Sequence, residues 1–312
     1  MSAPMAAHPA RSGGDMESMR TRAVCAVFMA CVLFTSCMGG SRAKAGGAEV
    51  SSGQDAWPAG ADREEKAGAA EAGQGGGSLS GGGQPSGGLE IPAALAGKSE
   101  RILKRTGYTV SYNKDTRIAN WVAWHLTAAH TSGTVQRPRR AYHEDEDVPE
   151  PRATDSDYYN SGYDRGHLCP AGDNKWSETA MYETFLFTNL CPQVHELNAG
   201  DWKEMEEQCR RWAERYGDIY IVCGPLVYGG GHEKIGKNKV VVPDAFFKVV
   251  LCTKGAPKAI GFVYDNAGGD HPKSHYMRTV DEVESVSGID FFPALPDETE
   301  NKIEAVCSLN DW

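Results

Sequence analysis

The chain has 312 residues, room for one or two domains, with 42 acidic against 32 basic side chains and a formal net charge of −10. Residues 98–312 alone carry 33 acids and 25 bases. A protein that holds polyanions by bulk charge shows a basic face. A phosphate partner of this chain must therefore be met by a metal cation and a few local arginines.

Residues 1–18 are small and polar, and Met16 and Met19 are alternative starts. From Met19 the pattern is that of an export signal: Arg20 and Arg22, an apolar run over 23–34, then Thr35-Ser36-Cys37. The run is short of the ~20 apolar residues a membrane span needs. Phe34-Thr35-Ser36-Cys37 resembles a bacterial lipobox, which predicts a leader over 1–37 and a lipid on Cys37. The expectation is an exported bacterial protein, lipid-anchored in the periplasm or on the cell surface. Ordinary cleavage nearby, releasing a secreted protein, is the alternative. Residues 38–97 are rich in Gly, Ala, Ser and Glu and bury too little apolar surface to offset ordering entropy, so they read as a disordered linker.

The folded domain is expected over 98–312. Tyr108-Thr109-Val110-Ser111-Tyr112 alternates as a strand, and 118–127 reads as a second strand or a mixed segment. Arg137-Pro138-Arg139-Arg140 is the densest positive cluster, followed by the acidic loop Glu144-Asp145-Glu146-Asp147. Residues 158–168 read as an extended loop. Ser177 is placed as the N-cap of a short helix through Met181 and Phe185. One longer helix is predicted from Asn198 to Tyr216, stopping at Gly217, with Trp202, Met205, Cys209, Trp212 and Tyr216 as its apolar stripe. Strands are predicted over 218–223, 239–252 and 258–264, then helices over 280–287 and after Pro296. Strands and helices mix without regular alternation, so the class is α+β.

Cys25, Cys31 and Cys37 fall in the leader; Cys169, Cys191, Cys209, Cys223, Cys252 and Cys307 fall in the body. Six body cysteines in an exported domain allow three disulfides in fifteen pairings, or buried thiols. No CxxC pair occurs, which argues against a zinc site.

Asp164-Arg165-Gly166-His167 is the stretch most suggestive of chemistry. A histidine near a turn is commonly structural, yet a side chain with an ordinary pKa near 6.5 suits a base at neutral pH. Asp164 and Arg165 can brace the turn, and Gly166 permits a backbone angle that other residues resist. Asn198 is either a helix N-cap or a neutral oxygen ligand for Mg2+. Glu206 is either a surface charge or the carboxylate that holds a metal-bound water. Arg140 either pairs with the acidic run or forks onto a phosphate.

With these stretches in hand, the chain resembles the DNA/RNA non-specific endonucleases, the His-Me finger (ββα-metal) nucleases of endonuclease G type. The resemblance rests on Asp164-Arg165-Gly166-His167, Thr188-Asn189-Leu190-Cys191-Pro192-Gln193, and Leu197-Asn198-Ala199-Gly200-Asp201-Trp202 with Glu206 beyond it. Tyr220-Ile221-Val222-Cys223-Gly224-Pro225 and Gly288-Ile289-Asp290-Phe291-Phe292-Pro293 extend it to roughly 105–305. It implies a central, mainly antiparallel sheet flanked by helices and carrying a ββα-metal motif. His167 then resembles the general base, Asn198 the sole direct protein ligand of Mg2+ (Mn2+ as a substitute), and Glu206 the carboxylate orienting metal-bound water. Arg140 resembles the phosphate-stabilising arginine, with Arg139 as its rival, and Arg165 touches phosphate or braces the turn. Asn189 and Gln193 resemble first-helix residues that shape the site. The implied activity is endonucleolytic cleavage of DNA and RNA without sequence preference.

Two competing readings stand beside it. One is a catalytically inactive surface lipoprotein that keeps the nuclease fold and binds nucleic acid or another partner. The other is a thiol hydrolase pairing Cys169 or Cys191 with His167 or His195.

Overall fold

The computed structural model describes residues 88–312. The leader, most of the linker, and the expectations for Cys25, Cys31 and Cys37 lie outside the described residues. No helix among the described residues is long and apolar enough to cross a membrane.

In chain order, three strands come first: β1 (Arg101–Lys104), β2 (Thr109–Asn113) and β3 (Ile118–Thr127). After a long connection follow α1 (Asp155–Tyr158), β4 (Asp164–His167), α2 (Glu178–Glu183), β5 (Leu190–Gln193), α3 (His195–Ala199) and α4 (Asp201–Tyr216). Next come β6 (Asp218–Leu226), β7 (Lys234–Ile235), β8 (Val240–Val241), β9 (Ala245–Cys252) and β10 (Lys258–Asp265). The chain closes with α5 (Lys273–Tyr276), β11 (Met277–Arg278), α6 (Val280–Ser287) and α7 (Asp297–Glu304).

Seven strands form one antiparallel sheet in the order β1-β2-β3-β6-β9-β10-β11. Its central strands are covered on both faces, so β9 reads as an unbroken apolar run interrupted only by Lys248. Alternation divides β9 between two cores. Phe246, Val250 and Cys252 face α4, while Phe247, Val249 and Leu251 face α6 and α7. Helix α4 buries Trp202, Met205, Cys209 and Trp212 on the first face. Each fully buried large apolar side chain of this kind contributes roughly 1.5–3 kcal/mol. The second face takes Val280 and Val283 of α6, Phe291, Phe292, and Ile303 of α7. Leu89, Ile91 and Leu95 also pack there, so the folded region begins before Lys98.

The helix signals hold where a local reason exists. Ser177 accepts a hydrogen bond from the Ala180 N–H (3.3 Å) and starts α2, which ends at Glu183, short of Phe185. Gly217 ends α4 at φ +94°, which an L side chain resists. Two expectations are corrected. The predicted helix over 198–216 is two helices broken at Gly200, so Asn198 belongs to α3 and not to the start of the long helix. The strand predicted over 239–252 is two, β8 and β9. Of the two alternatives for the six body cysteines, the free thiols are found: five are buried and Cys307 is half-buried. They pack as small apolar groups within the cores and carry no staple.

Candidate active site

Strands β4 and β5 form a hairpin with Asp164 opposite Gln193 and His167 opposite Leu190. Helices α3 and α4 follow directly, which gives a local ββα unit laid against the first face of the sheet. The Trp202 indole N–H donates to the His167 carbonyl (3.0 Å), so α4 is pinned to the histidine's own backbone. The pairing of β4 with β5 is close at one point. A Cβ on Gly166 would overlap the buried Gln193 side chain, and the glycine is needed for this approach rather than for a positive φ. That corrects the backbone-angle expectation for Gly166.

His167, Asn198, Glu206 and Arg165 line one cleft of about 320 Å³, together with Arg137, Tyr142, Lys203 and Arg210. The histidine and the carboxamide thus share a pocket although they come from different elements. Asp164 sits behind Asn198. Its Oδ2 accepts from Asn198 Nδ2 (2.9 Å) and from His195 Nδ1 (2.8 Å). A carboxylate only accepts, so the amide nitrogen is fixed toward Asp164 and the amide oxygen is turned away from it. The same contact raises the His195 pKa above its ordinary value.

The His167 ring stands edge-on to Phe185 at 5.0 Å and near Tyr142 at 6.4 Å. Burial, and then the Arg137 charge, push its pKa down to about 3, so the imidazole is neutral at working pH. Its Nε2 is buried without a partner. Glu206 moves the other way. Burial pushes its carboxyl up to about 7, against the pull of the Lys248 and Arg210 charges. Lys248 is buried beneath it, with its ammonium 4.2 Å from the Trp202 ring centre.

The cations of the cleft are held by specific contacts. Arg137 donates to the Tyr142 hydroxyl (2.7 Å) and lies 4.9 Å from the Phe185 ring centre. Arg165 donates to Asp155 through Nε (2.7 Å) and lies 5.1 Å from the Tyr142 ring centre. Arg210 pairs with buried Asp173 (2.8 Å), which also accepts from the Trp124 indole (3.1 Å). With Lys203 these make four cations against one carboxylate along the lining, on a chain whose net charge is −10.

Several expected site residues are placed elsewhere. Arg139 and Arg140 are exposed, make no ion pair or hydrogen bond among the described residues, and do not line the cleft. Arg137 occupies the place expected of Arg140, because the chain folds back between 137 and 142 and brings its guanidinium over Tyr142. Asn189 and Gln193 are buried outside the cleft, and neither lies in an α-helix. Asn189 braces the hairpin, donating to the Cys169 and Thr184 carbonyls (2.9 and 2.8 Å) and accepting from the Cys169 N–H. Burial raises the Cys169 and Cys191 thiols well above their usual pKa, and neither lines the cleft. The thiol-hydrolase reading therefore has no reactive thiolate to build on. Arg210 was legible in the sequence as one helical turn beyond Glu206.

Residues 86–298 match the sequence profile of the DNA/RNA non-specific endonucleases. The chain belongs to that family. It is 37% identical over 225 residues to the mitochondrial nuclease EXOG of Danio rerio, an alignment covering 66% of each chain. Nuclease C1 of Cunninghamella echinulata var. echinulata is 36% identical over 215 residues, covering 64% of this chain and 85% of that one. The solved EndoG/EndoGI complex includes a chain with TM-score 0.63 and 28% identity, covering 68% of this chain and 91% of its own length. Alignments to the EXOG relatives span from 60% to 66% of those proteins' lengths. The family fold agrees with the mixed architecture seen here: a large antiparallel sheet, helices on its faces, and the ββα unit.

Proposed function

We propose that this chain is a metal-dependent endonuclease that hydrolyses phosphodiester bonds of DNA and RNA without sequence preference. The observation that carries the proposal is the joint lining of one cleft by His167, an oriented Asn198 carboxamide and three guanidiniums. The donor set fits a magnesium-type ion. Asn198 offers a neutral oxygen whose partner nitrogen is tied to Asp164. No group of three His, Cys, Asp or Glu ligands converges at the cleft among the described residues, as suits an ion that keeps most of its waters. Asn198 would hold the ion, and Glu206 would orient its waters. When bound, Mg2+ would supply positive charge to the phosphate and to the leaving 3′ oxygen, and Mn2+ would substitute for it.

The chain's own residues do the rest. Arg137 and Arg165, stacked near Tyr142, place donors where phosphate charge develops. His167, neutral because its pKa is depressed, accepts the proton of the attacking water. A phosphate bound to Arg137 offsets one of the two causes of that depression and makes His167 a stronger base in the complex. The cationic lining answers the acidic balance of the chain, since attraction need only be local. Plasmid nicking by the full chain with Mg2+, abolished by chelator and by His167→Ala, is expected. Absence of cleavage with metal present would favour the inactive nucleic-acid-binding lipoprotein. For location, the arginines and apolar run before Phe34-Thr35-Ser36-Cys37 support export and lipid attachment at Cys37. Labelling with radioactive palmitate, lost in Cys37→Ala, tests it; unchanged label in that variant would reject the anchor.

A further inference from the structure

The sheet face away from the cleft carries a second concentration of charge. Asp281 and Glu284 are three residues apart on α6, and Glu300 and Glu304 are four apart on α7, so each pair shares one side of its helix. Carboxylate oxygens of Asp281, Glu284 and Glu304 lie within 4.8 Å of one another. Glu304 is only 5% exposed, and its Oε1 has no hydrogen-bond partner. The Oε1 of Glu300 is likewise buried and unpartnered. One oxygen of Glu284 is fixed by the Phe291 N–H at 2.7 Å. No lysine, arginine or histidine forms an ion pair with any of these four carboxylates among the described residues.

Carboxylates gathered this way repel one another, and a buried one without a partner is costly to ionise. Burial and the neighbouring acids accordingly push Glu304 and Glu300 upward. A cation resolves both problems at once. We propose that Asp281, Glu284 and Glu304 form a hard divalent-cation site that ties α6 to α7. All three donors are oxygens, which suits Ca2+ or Mg2+ over metals preferring nitrogen or sulfur. Three carboxylate oxygens this close can share one hard cation, with water filling the rest of its shell. Asp281 is exposed and leaves a route for the ion and for the waters that complete its shell. The consequence is mechanical. Helix α7 and the Phe291–Phe292 segment close the second core, and the ion would fasten that closure. This site does not depend on the nuclease reading.

The test is calorimetric titration of the chelator-treated full chain with CaCl2, alongside thermal unfolding in Ca2+ and in chelator. The wild type and Asn198→Ala are expected to bind Ca2+ and to gain melting temperature. The variants Asp281→Asn, at an exposed position, and Glu304→Gln are expected to lose at least tenfold in affinity and most of that gain. In chelator Glu304→Gln should melt above wild type, because it removes the cost of keeping a carboxyl buried beside other acids without a partner. Plasmid nicking in Mg2+ should be unchanged in both, which separates this site from the cleft. If wild type gives no Ca2+ heat, or if both variants bind and melt as wild type does, the cluster holds protons only and the proposal fails.

Discussion

Replacing Asp164 separates orientation of the metal ligand from the chemical step. Its Oδ2 accepts two hydrogen bonds, from Asn198 Nδ2 at 2.9 Å and His195 Nδ1 at 2.8 Å. Asp164→Asn keeps the shape and removes the charge. A hydrogen bond to a charged group is worth about 1.5–3 kcal/mol net, and a neutral one about 0.5–1.5 kcal/mol. The hold on Asn198 therefore weakens by about 1 kcal/mol, which is roughly fivefold in how well the amide oxygen is presented. Asp164→Ala removes the acceptor entirely and frees the carboxamide, so its effect belongs in the ~10–100-fold range typical of losing a group behind a metal ligand. The assay is the initial rate of plasmid nicking across a wide Mg2+ titration. Both variants should shift the Mg2+ midpoint upward in that order and recover most of the rate at saturation. A midpoint that stays put while the saturated rate collapses would refute the reasoning, because Asp164 would then act on the phosphate directly.

Arg137→Ala should lower kcat/KM about 10²–10³-fold, as loss of a transition-state donor does, while Arg139→Ala and Arg140→Ala stay near wild type; equal losses at 137 and 140 would undo the placement. Proton NMR should show the His167 ring neutral and flat from pH 5 to 8, since its pKa sits at about 3. His195 should titrate above its ordinary value and fall back in Asp164→Asn. In chelator, stability should decline as pH rises from about 4.5 through about 7. Glu206 has a folded pKa raised above its unfolded value, so its contribution is present below the unfolded pKa and lost through the folded one. Glu206→Gln should flatten that slope by on the order of 1–3 kcal/mol, and an unchanged slope would place the titration elsewhere. Peptide mapping after brief alkylation should find Cys307 modified ahead of Cys169, Cys191, Cys209, Cys223 and Cys252, and a disulfide-linked pair among them would contradict the free thiols.

What the sequence made legible follows from range. Helix caps are local, so Ser177, Gly217 and Gly288 mark boundaries that the structure keeps. The stripe Trp202, Met205, Cys209 and Trp212 is also local in period, and it packs on the sheet as expected. The break at Gly200 was not legible, because helical periodicity runs through it and only the dihedrals of that residue stop the helix. The cationic lining was only partly legible, because Arg165 and the spacing of Arg210 from Glu206 could be read but the place of Arg137 could not. Arg137, Arg165 and Arg210 come from a loop, a strand and a helix, and each is aimed by a side-chain partner that the fold, not helical or strand period, brings to it: Tyr142, Asp155 and Asp173. Counting charge along the chain gives an acidic protein, and counting it along the cleft gives a cationic one. Arg140 lies in the densest positive run yet faces solvent, so density of charge in sequence is a poor guide to a phosphate site. A better guide is an arginine held by an aromatic ring, as Arg137 is, by a carboxylate, as Arg210 is, or by both, as Arg165 is, because such an arginine reaches the cleft already oriented and has less side-chain freedom to lose when the phosphate arrives.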